Sequence, residues 1–226
     1  MKKFTSLLLI LTLVLSLCAV SAAADNDTAK TIGEETTRDM FFDAVALRES
    51  DESDPITRVF RSSGASAYTS YATDELSLDY YDATLYEGAW KTFDNEYSIA
   101  LPTDWYTYEV TEDEKDFGIL YSFGKDDWVL NISWITASSM SDLGVKGYDD
   151  LIEVLNNQGF TGIGVYEVND FPYPVVTFWN PDSGNFFAVF ADGKGGMNQL
   201  CFMPATDEAF QPYIANILYS LSSPVG

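Results

Sequence analysis

Apolar residues recur at every second position through much of the C-terminal part of the chain, and a period of two is the mark of β-strands. Tyr97-Ser98-Ile99-Ala100-Leu101 alternates in this way and stops at Pro102, which has no N–H to give to a ladder. Residues 118–123 and 128–137 are apolar and rich in aromatic and β-branched side chains, and Gly124-Lys125-Asp126-Asp127 separates them, so they predict a hairpin. The period then changes. Tyr148, Leu151, Ile152 and Leu155 recur at i, i+3, i+4 and i+7, and Asn157-Gln158-Gly159 supplies a stop, which predicts a helix of about three turns.

Four further strands are predicted at 163–168, 174–179, 185–191 and 197–203, each bounded by Asn, Asp, Pro and Gly turn chemistry. Their short connections predict an antiparallel meander. A last helix carries Phe210, Tyr213, Ile214, Ile217, Leu218 and Leu221 on one stripe, with Thr206 or Asp207 as caps. Pro212 would break a hydrogen bond in a helix begun at Thr206, so a loose first turn is expected before a regular helix near Pro212. The expected fold class is α+β: an antiparallel sheet of about six to seven strands, with a mid-chain helix and a C-terminal helix packed on it.

The N-terminal part reads differently. Lys2 and Lys3, the apolar run 7–20 and Ser21-Ala22-Ala23-Ala24 match a secretory signal peptide cleaved near Ala22 to Ala24. The run is shorter than the ~20 residues that span a bilayer, so no integral span is expected in the mature chain. Leu15-Ser16-Leu17-Cys18 approaches a lipobox, but Leu17 is bulky where a small residue is required. Residues 25–88 are acidic, small and Ser/Thr-rich and read as a spacer. Within it Met40, Phe41, Ala44 and Leu47 have helical spacing, and 76–86 alternates loosely like an edge strand. Residues 89–226 form the expected domain.

Charge and composition exclude several functions. The 226 residues hold 12 Lys and Arg, 35 Asp and Glu and no histidine, a formal charge of −23. Loss of residues 1–24 removes two lysines and leaves 10 basic against 35 acidic residues, or −25. Such a surface repels nucleic acid and anionic lipid, and without imidazole there is no Ser-His-Asp or Cys-His nucleophile and no His-bound zinc. With Cys18 gone, Cys201 is the remaining thiol. Its apolar, strand-like surroundings read as core.

Carboxylates are the chemistry in excess. Glu153, Glu167, Asp170 and Asp182 lie nearest to the predicted elements, but no spacing marks a hydrolase pair, and no enzymatic activity is expected. The glycines of 162–164 and 193–196 open or close strands and do not lead into a helix, as a phosphate loop would. No cofactor is implied, with Ca²⁺ the one metal to consider: Glu112, Asp113, Asp116, Asp126 and Asp127 cluster near strand ends as hard oxygen ligands.

Aromatic residues make up 15% of the chain. Trp128, Trp134, Phe178, Trp179, Phe186, Phe187, Phe190 and Phe202 lie in strands and are expected to fill the faces of the sheet. Trp105, Tyr106, Tyr108, Phe171 and Tyr173 fall at predicted loops or strand ends and are the candidates for an exposed ligand-binding patch.

The order of elements resembles the PsbP-like fold, shared by extrinsic photosystem II subunits and a Ran-binding transport factor. Residues 97–105, ending Leu101-Pro102-Thr103-Asp104-Trp105, look like that fold's opening strand and Pro-x-x-Trp turn. Val168-Asn169-Asp170, Asp192-Gly193-Lys194 and the closing Ile217-Leu218-Tyr219-Ser220-Leu221 accompany them, and together they cover about residues 90–223. The photosystem role does not carry over, because it relies on Lys-rich contacts and His metal sites. A nuclear role conflicts with a signal peptide. What the resemblance implies is a binding or scaffolding domain. The expectation is an exported, non-enzymatic domain that holds an envelope or extracellular protein or glycan. A carboxylate hydrolase and a lipid-anchored envelope scaffold are the alternatives.

Overall fold

The structure, a computed structural model, describes residues 30–35, 41–42, 85–166, 168 and 171–224. Among them lie ten strands: β1 (Phe41–Phe42), β2 (Gly88–Phe93), β3 (Tyr97–Pro102), β4 (Tyr106–Tyr108), β5 (Ile119–Lys125), β6 (Trp128–Ile135), β7 (Thr161–Tyr166), β8 (Val175–Asn180), β9 (Asn185–Ala191) and β10 (Met197–Met203). Five helices accompany them: α1 (Ile32–Glu35), α2 (Glu112–Asp116), α3 (Ala137–Asp142), α4 (Tyr148–Asn157) and α5 (Gln211–Tyr219). The fold is α+β. A seven-stranded antiparallel sheet has the order β4-β5-β6-β10-β9-β8-β7, and β1-β2-β3 form a separate three-stranded sheet. No helix of the described residues is long and apolar enough to cross a membrane.

Alternation sorts the seven-stranded sheet into two buried faces. Leu130 and Ile132 of β6, Phe186, Ala188 and Phe190 of β9, and Leu200 and Phe202 of β10 share one apolar cluster with β2, β3 and α5. Val129, Phe187, Val189 and Cys201 point the other way, into a cluster with Met140 of α3 and Leu151, Ile152 and Leu155 of α4. Strands covered on both sides carry apolar residues continuously, which is why β9 reads Phe-Phe-Ala-Val-Phe-Ala after Asn185.

Hairpin, mid-chain helix, meander and C-terminal helix all form near their predicted positions. The β5–β6 loop is tighter than expected. Lys125 pairs with Trp128, so the turn is only Asp126-Asp127, with Asp126 at φ 54°. Gly124 permits this closeness, because a Cβ there would collide with the Trp128 carbonyl oxygen. α5 begins at Gln211 with Pro212 in its first turn, after the loose segment that proline imposes. Its residues Ile214–Tyr219 are all buried, so the helix has no solvent face there. Two short helices had no apolar period to announce them. α2 and α3 are set by their caps, with Thr111 accepting from Glu114 N and Thr136 accepting from Ser139 N.

The domain also takes in residues that the sequence assigns to the spacer. Ile32 is fully buried in the cluster with Trp105 and Ile99. Its N–H donates to the Trp105 carbonyl at 2.7 Å, and Gly33 N donates to Thr103 O at 2.9 Å. Glu35 accepts from Lys91 Nζ at 3.1 Å and from Thr107 Oγ1 at 2.7 Å. Phe41 is in a strand rather than a helix, paired with Ala89. Met40, Ala44, Leu47, residues 76–84 and the signal segment lie outside the described residues.

If residues 31–35 are structural, Ile32→Ala should cost about 2–4 kcal/mol, the range for emptying a fully buried aliphatic site. Urea unfolding of the mature chain should show a lower midpoint with an unchanged slope. A midpoint within error of the parent protein would place this segment outside the folding unit.

Candidate functional site

Among the described residues, Leu120 and Trp134 are the large hydrophobic side chains left exposed, at 40% and 43%. Both lie at the open end of the β5–β6 pair. Ile119 faces Ser133 across the ladder, and a bulge between Ile119 and Tyr121 interrupts the register there. Trp134 belongs to the same face as Leu130 and Ile132, but β6 runs past the edge of the apolar cluster, so its ring emerges at the rim.

Trp134 is held rather than loose. Its Nε1–H donates to Asp192 Oδ2 at 2.8 Å. The other carboxylate oxygen of Asp192 accepts from the backbone N–H of Lys194 at 2.7 Å and of Gly196 at 2.9 Å, which folds the β9–β10 turn around it. Burial raises the Asp192 carboxyl pKa. These donors and the nearby Lys194 charge outweigh it and hold the group below the ordinary carboxylate value. Gly196 makes room for the arrangement, because a Cβ there would sit 2.6 Å from Asp192 Oδ2 and 2.9 Å from Trp134 Nε1.

Polar side chains of the β2–β3 and β9–β10 hairpins form a linked group that reaches Trp134 through Asn198. Asn198 lies directly opposite Trp134 in the β6–β10 register, and its Nδ2 donates to Glu96 Oε2 at 3.2 Å. Lys194 Nζ forms an ion pair with Glu96 Oε1. Asp94, exposed beside Glu96, accepts from the Tyr121 hydroxyl at 3.5 Å. Tyr173 reaches this end too, with its hydroxyl packed against Gly193.

The five aromatic candidates from the sequence do not form one exposed patch. Trp105 is fully buried, 5.9 Å from Phe210 between ring centroids. Tyr108 and Phe171 are 6% and 8% exposed. Phe171 stands edge-on to Phe190, and Tyr106 is half-buried beside Thr31. Loop position misled here because β2, β3 and residues 31–35 cover the sheet ends that a strand-only reading leaves open. Tyr173 alone reaches the Trp134 rim. Alternation places Trp134 itself in the core and carries no contrary signal. A second indole, Trp128 at the other end of β6, donates likewise to Asp207 Oδ2 at 2.8 Å, but it stacks flat on Phe210 at 5.1 Å and is half-buried.

The acidic clusters also resolve into local structure. Thr111 and Glu114 form a reciprocal capping box, and Glu112 pairs with Lys115 at 2.6 Å, so the 111–116 run is a helix start. The signal was legible as Thr-x-x-Glu. Asp113, Asp116, Asp126 and Asp127 are exposed. No three acidic or cysteine side chains gather into a metal-sized group among the described residues, so Glu112, Asp113, Asp116, Asp126 and Asp127 are not brought together as a calcium site. Glu153 and Asp182 are exposed on α4 and in the β8–β9 turn, while Glu167 and Asp170 lie outside the described residues. Cys201 is buried as expected.

No protein-family model and no curated protein matches this chain. A solved structure from Bacteroides thetaiotaomicron VPI-5482, determined at 1.50 Å resolution, is similar over 57% of this chain and 46% of that one, at 16% identity and a TM-score of 0.29. This chain therefore spans less than half of that protein, and an overlap at that TM-score defines neither a common fold nor a common activity.

Two outcomes test the site's construction. Because the folded Asp192 carboxyl lies below its ordinary value, its contribution to stability is complete above that ordinary value, near pH 4, and disappears as pH falls through the lower folded value. Asp192→Asn should therefore lower the unfolding midpoint at neutral pH and flatten the acid limb of its pH dependence, measured by chemical denaturation. Gly196→Ala should break the Trp134–Asp192 contact and change the near-ultraviolet circular dichroism of the indole. An unchanged spectrum would mean the turn relaxes without moving the ring.

Proposed function

We propose that this protein is an exported, non-enzymatic binding domain that holds a glycan or protein of the envelope or extracellular space against the Trp134 rim. The observation that carries this reading is the 43% exposed Trp134, its indole N–H fixed on Asp192, with Asn198 opposite it in the ladder and the Glu96–Lys194 pair joined to Asn198. A partly exposed aromatic ring anchored by its N–H edge offers stacking area with little ordering cost, and polar neighbours supply direction. Export rests on the signal-like N-terminus, with cleavage near Ala22 to Ala24. The absence of histidine and of a paired-carboxylate motif in the sequence supports binding over turnover. The PsbP-like order of elements supports the same reading by association.

Co-sedimentation of the mature chain with insoluble cell-wall glycan and with purified envelope proteins should retain it, and Trp134→Ala should lower retention about tenfold, the scale of losing one aromatic anchor. Loss of the Asp192 contact should lower the thermal midpoint somewhat, so retention is compared at a temperature where both proteins are folded. Release of a soluble product with turnover, or retention indifferent to Trp134, would overturn the reading.

A further inference from the structure

The rim is acidic, and its charge indicates what kind of ligand it takes. Asp94 and Glu96 lie in the β2–β3 turn, Glu96 bonded to the Asn198 that faces Trp134, and the mature chain carries a formal charge of −25 on the expected cleavage. An anionic ligand would be repelled by this field, whereas a cation is drawn to it. The site already shows what it does with an ammonium group: Lys194 Nζ, on a side chain that is 70% exposed, is seated on Glu96. Hydrogen bonding to Glu96 and the Glu96 charge, followed by Asp192 and Asp94, favour the protonated amine. Behind this corner the Tyr97 hydroxyl is buried without a hydrogen-bond partner, in the field of Asp94 and Glu96.

Stacking and cation capture are adjacent. Trp134 and Asn198 are register partners, so their Cβ atoms are about 5 Å apart, and Asn198 holds Glu96. The carboxylate holds the indole by its N–H edge, and the 43% of Trp134 that stays exposed is the stacking area a ligand can use, on the side chain that best attracts a cation. A flat apolar face with an amine at one edge meets both demands at once.

We propose that the ligand of this rim is an amino-sugar glycan, a polymer of hexosamine with free amines, whose ring face stacks on Trp134 while its ammonium displaces Lys194 from Glu96. This rests on the reading of Trp134 as the binding surface and adds the ligand's charge to it. Lys194 is then an internal competitor, and Asp94 a second anionic contact for the next amine along the polymer.

The test uses the mature chain and three probes by calorimetric titration at mildly acidic pH, where sugar amines are protonated: glucosamine oligomers, N-acetylglucosamine oligomers of the same length, and oligolysine. Glucosamine oligomers should bind at least tenfold tighter than the acetylated ones. Glu96→Gln should remove that preference, Lys194→Ala should tighten amine binding, and added salt should weaken it. Equal affinity for both sugars, each lost in Trp134→Ala, would overturn the charge inference and leave the binding surface intact. Oligolysine binding as well as glucosamine, with Trp134→Ala without effect, would overturn both, because attraction would then follow net charge alone. Loss of glucosamine binding in Lys194→Ala would also overturn the inference, since Lys194 would be a contact rather than a competitor.

Discussion

β6 and β10 form a continuous ladder of seven register pairs, from Val129 against Met203 to Ile135 against Met197. These strands are separated in sequence by α3, α4 and the whole β7–β8–β9 meander, so their pairing closes a long loop before it is rewarded by contacts. The ladder joins two local units, the β4–β5–β6 part and the meander, into one seven-stranded sheet. Both apolar clusters need this sheet to be whole, because each draws on β6, β9 and β10 together. The candidate site depends on it as well. Asn198 and Trp134 are neighbours only because β10 lies beside β6 in this register, and a slip of one residue would send Trp134 to the opposite face.

The face bearing α5 shows how the chain finishes its core. The helix is buried on nearly all sides, and the Ala100 N–H donates to Ser220 Oγ at 2.8 Å while Ser98 pairs with Ser222. Those contacts attach the end of the chain to β3. Residues 31–35 approach the same region from the other end of the sequence, through Ile32 and the carbonyl oxygens of Thr103 and Trp105. A region expected to be a spacer thus contributes at its start to the domain core. Trp105, at the end of the Pro102-Thr103-Asp104-Trp105 turn, is covered for the same reason.

Asp192 links local and tertiary structure within one side chain. One oxygen organises a turn that its own sequence, Asp-Gly-Lys-Gly-Gly, announces; the other reaches across the sheet to an indole more than fifty residues away, at a separation of 58. Turn chemistry accounts for the first role completely. The second role turns a surface tryptophan from a mobile hydrophobic group into an oriented platform, and it does so with a carboxylate kept ionised by its donors.

Periodicity was sufficient for the strands of the hairpin and meander, the α4 helix and the late start of α5, because these are set by interactions within a few residues: alternation, turn residues and the proline at 212. The Thr111-x-x-Glu114 cap was equally local and was obscured by reading its acids as ligands. Composition by itself leaves no imidazole chemistry, because the sequence has no histidine. Which aromatic residues are covered, by contrast, depends on β2, β3, α5 and residues 31–35 arriving over the sheet, and on where β6 outruns the cluster beneath it. Trp134 has the same alternation as its buried neighbours Leu130 and Ile132; exposure is a property of what lies above a residue, and that is decided by contacts between segments far apart in the chain.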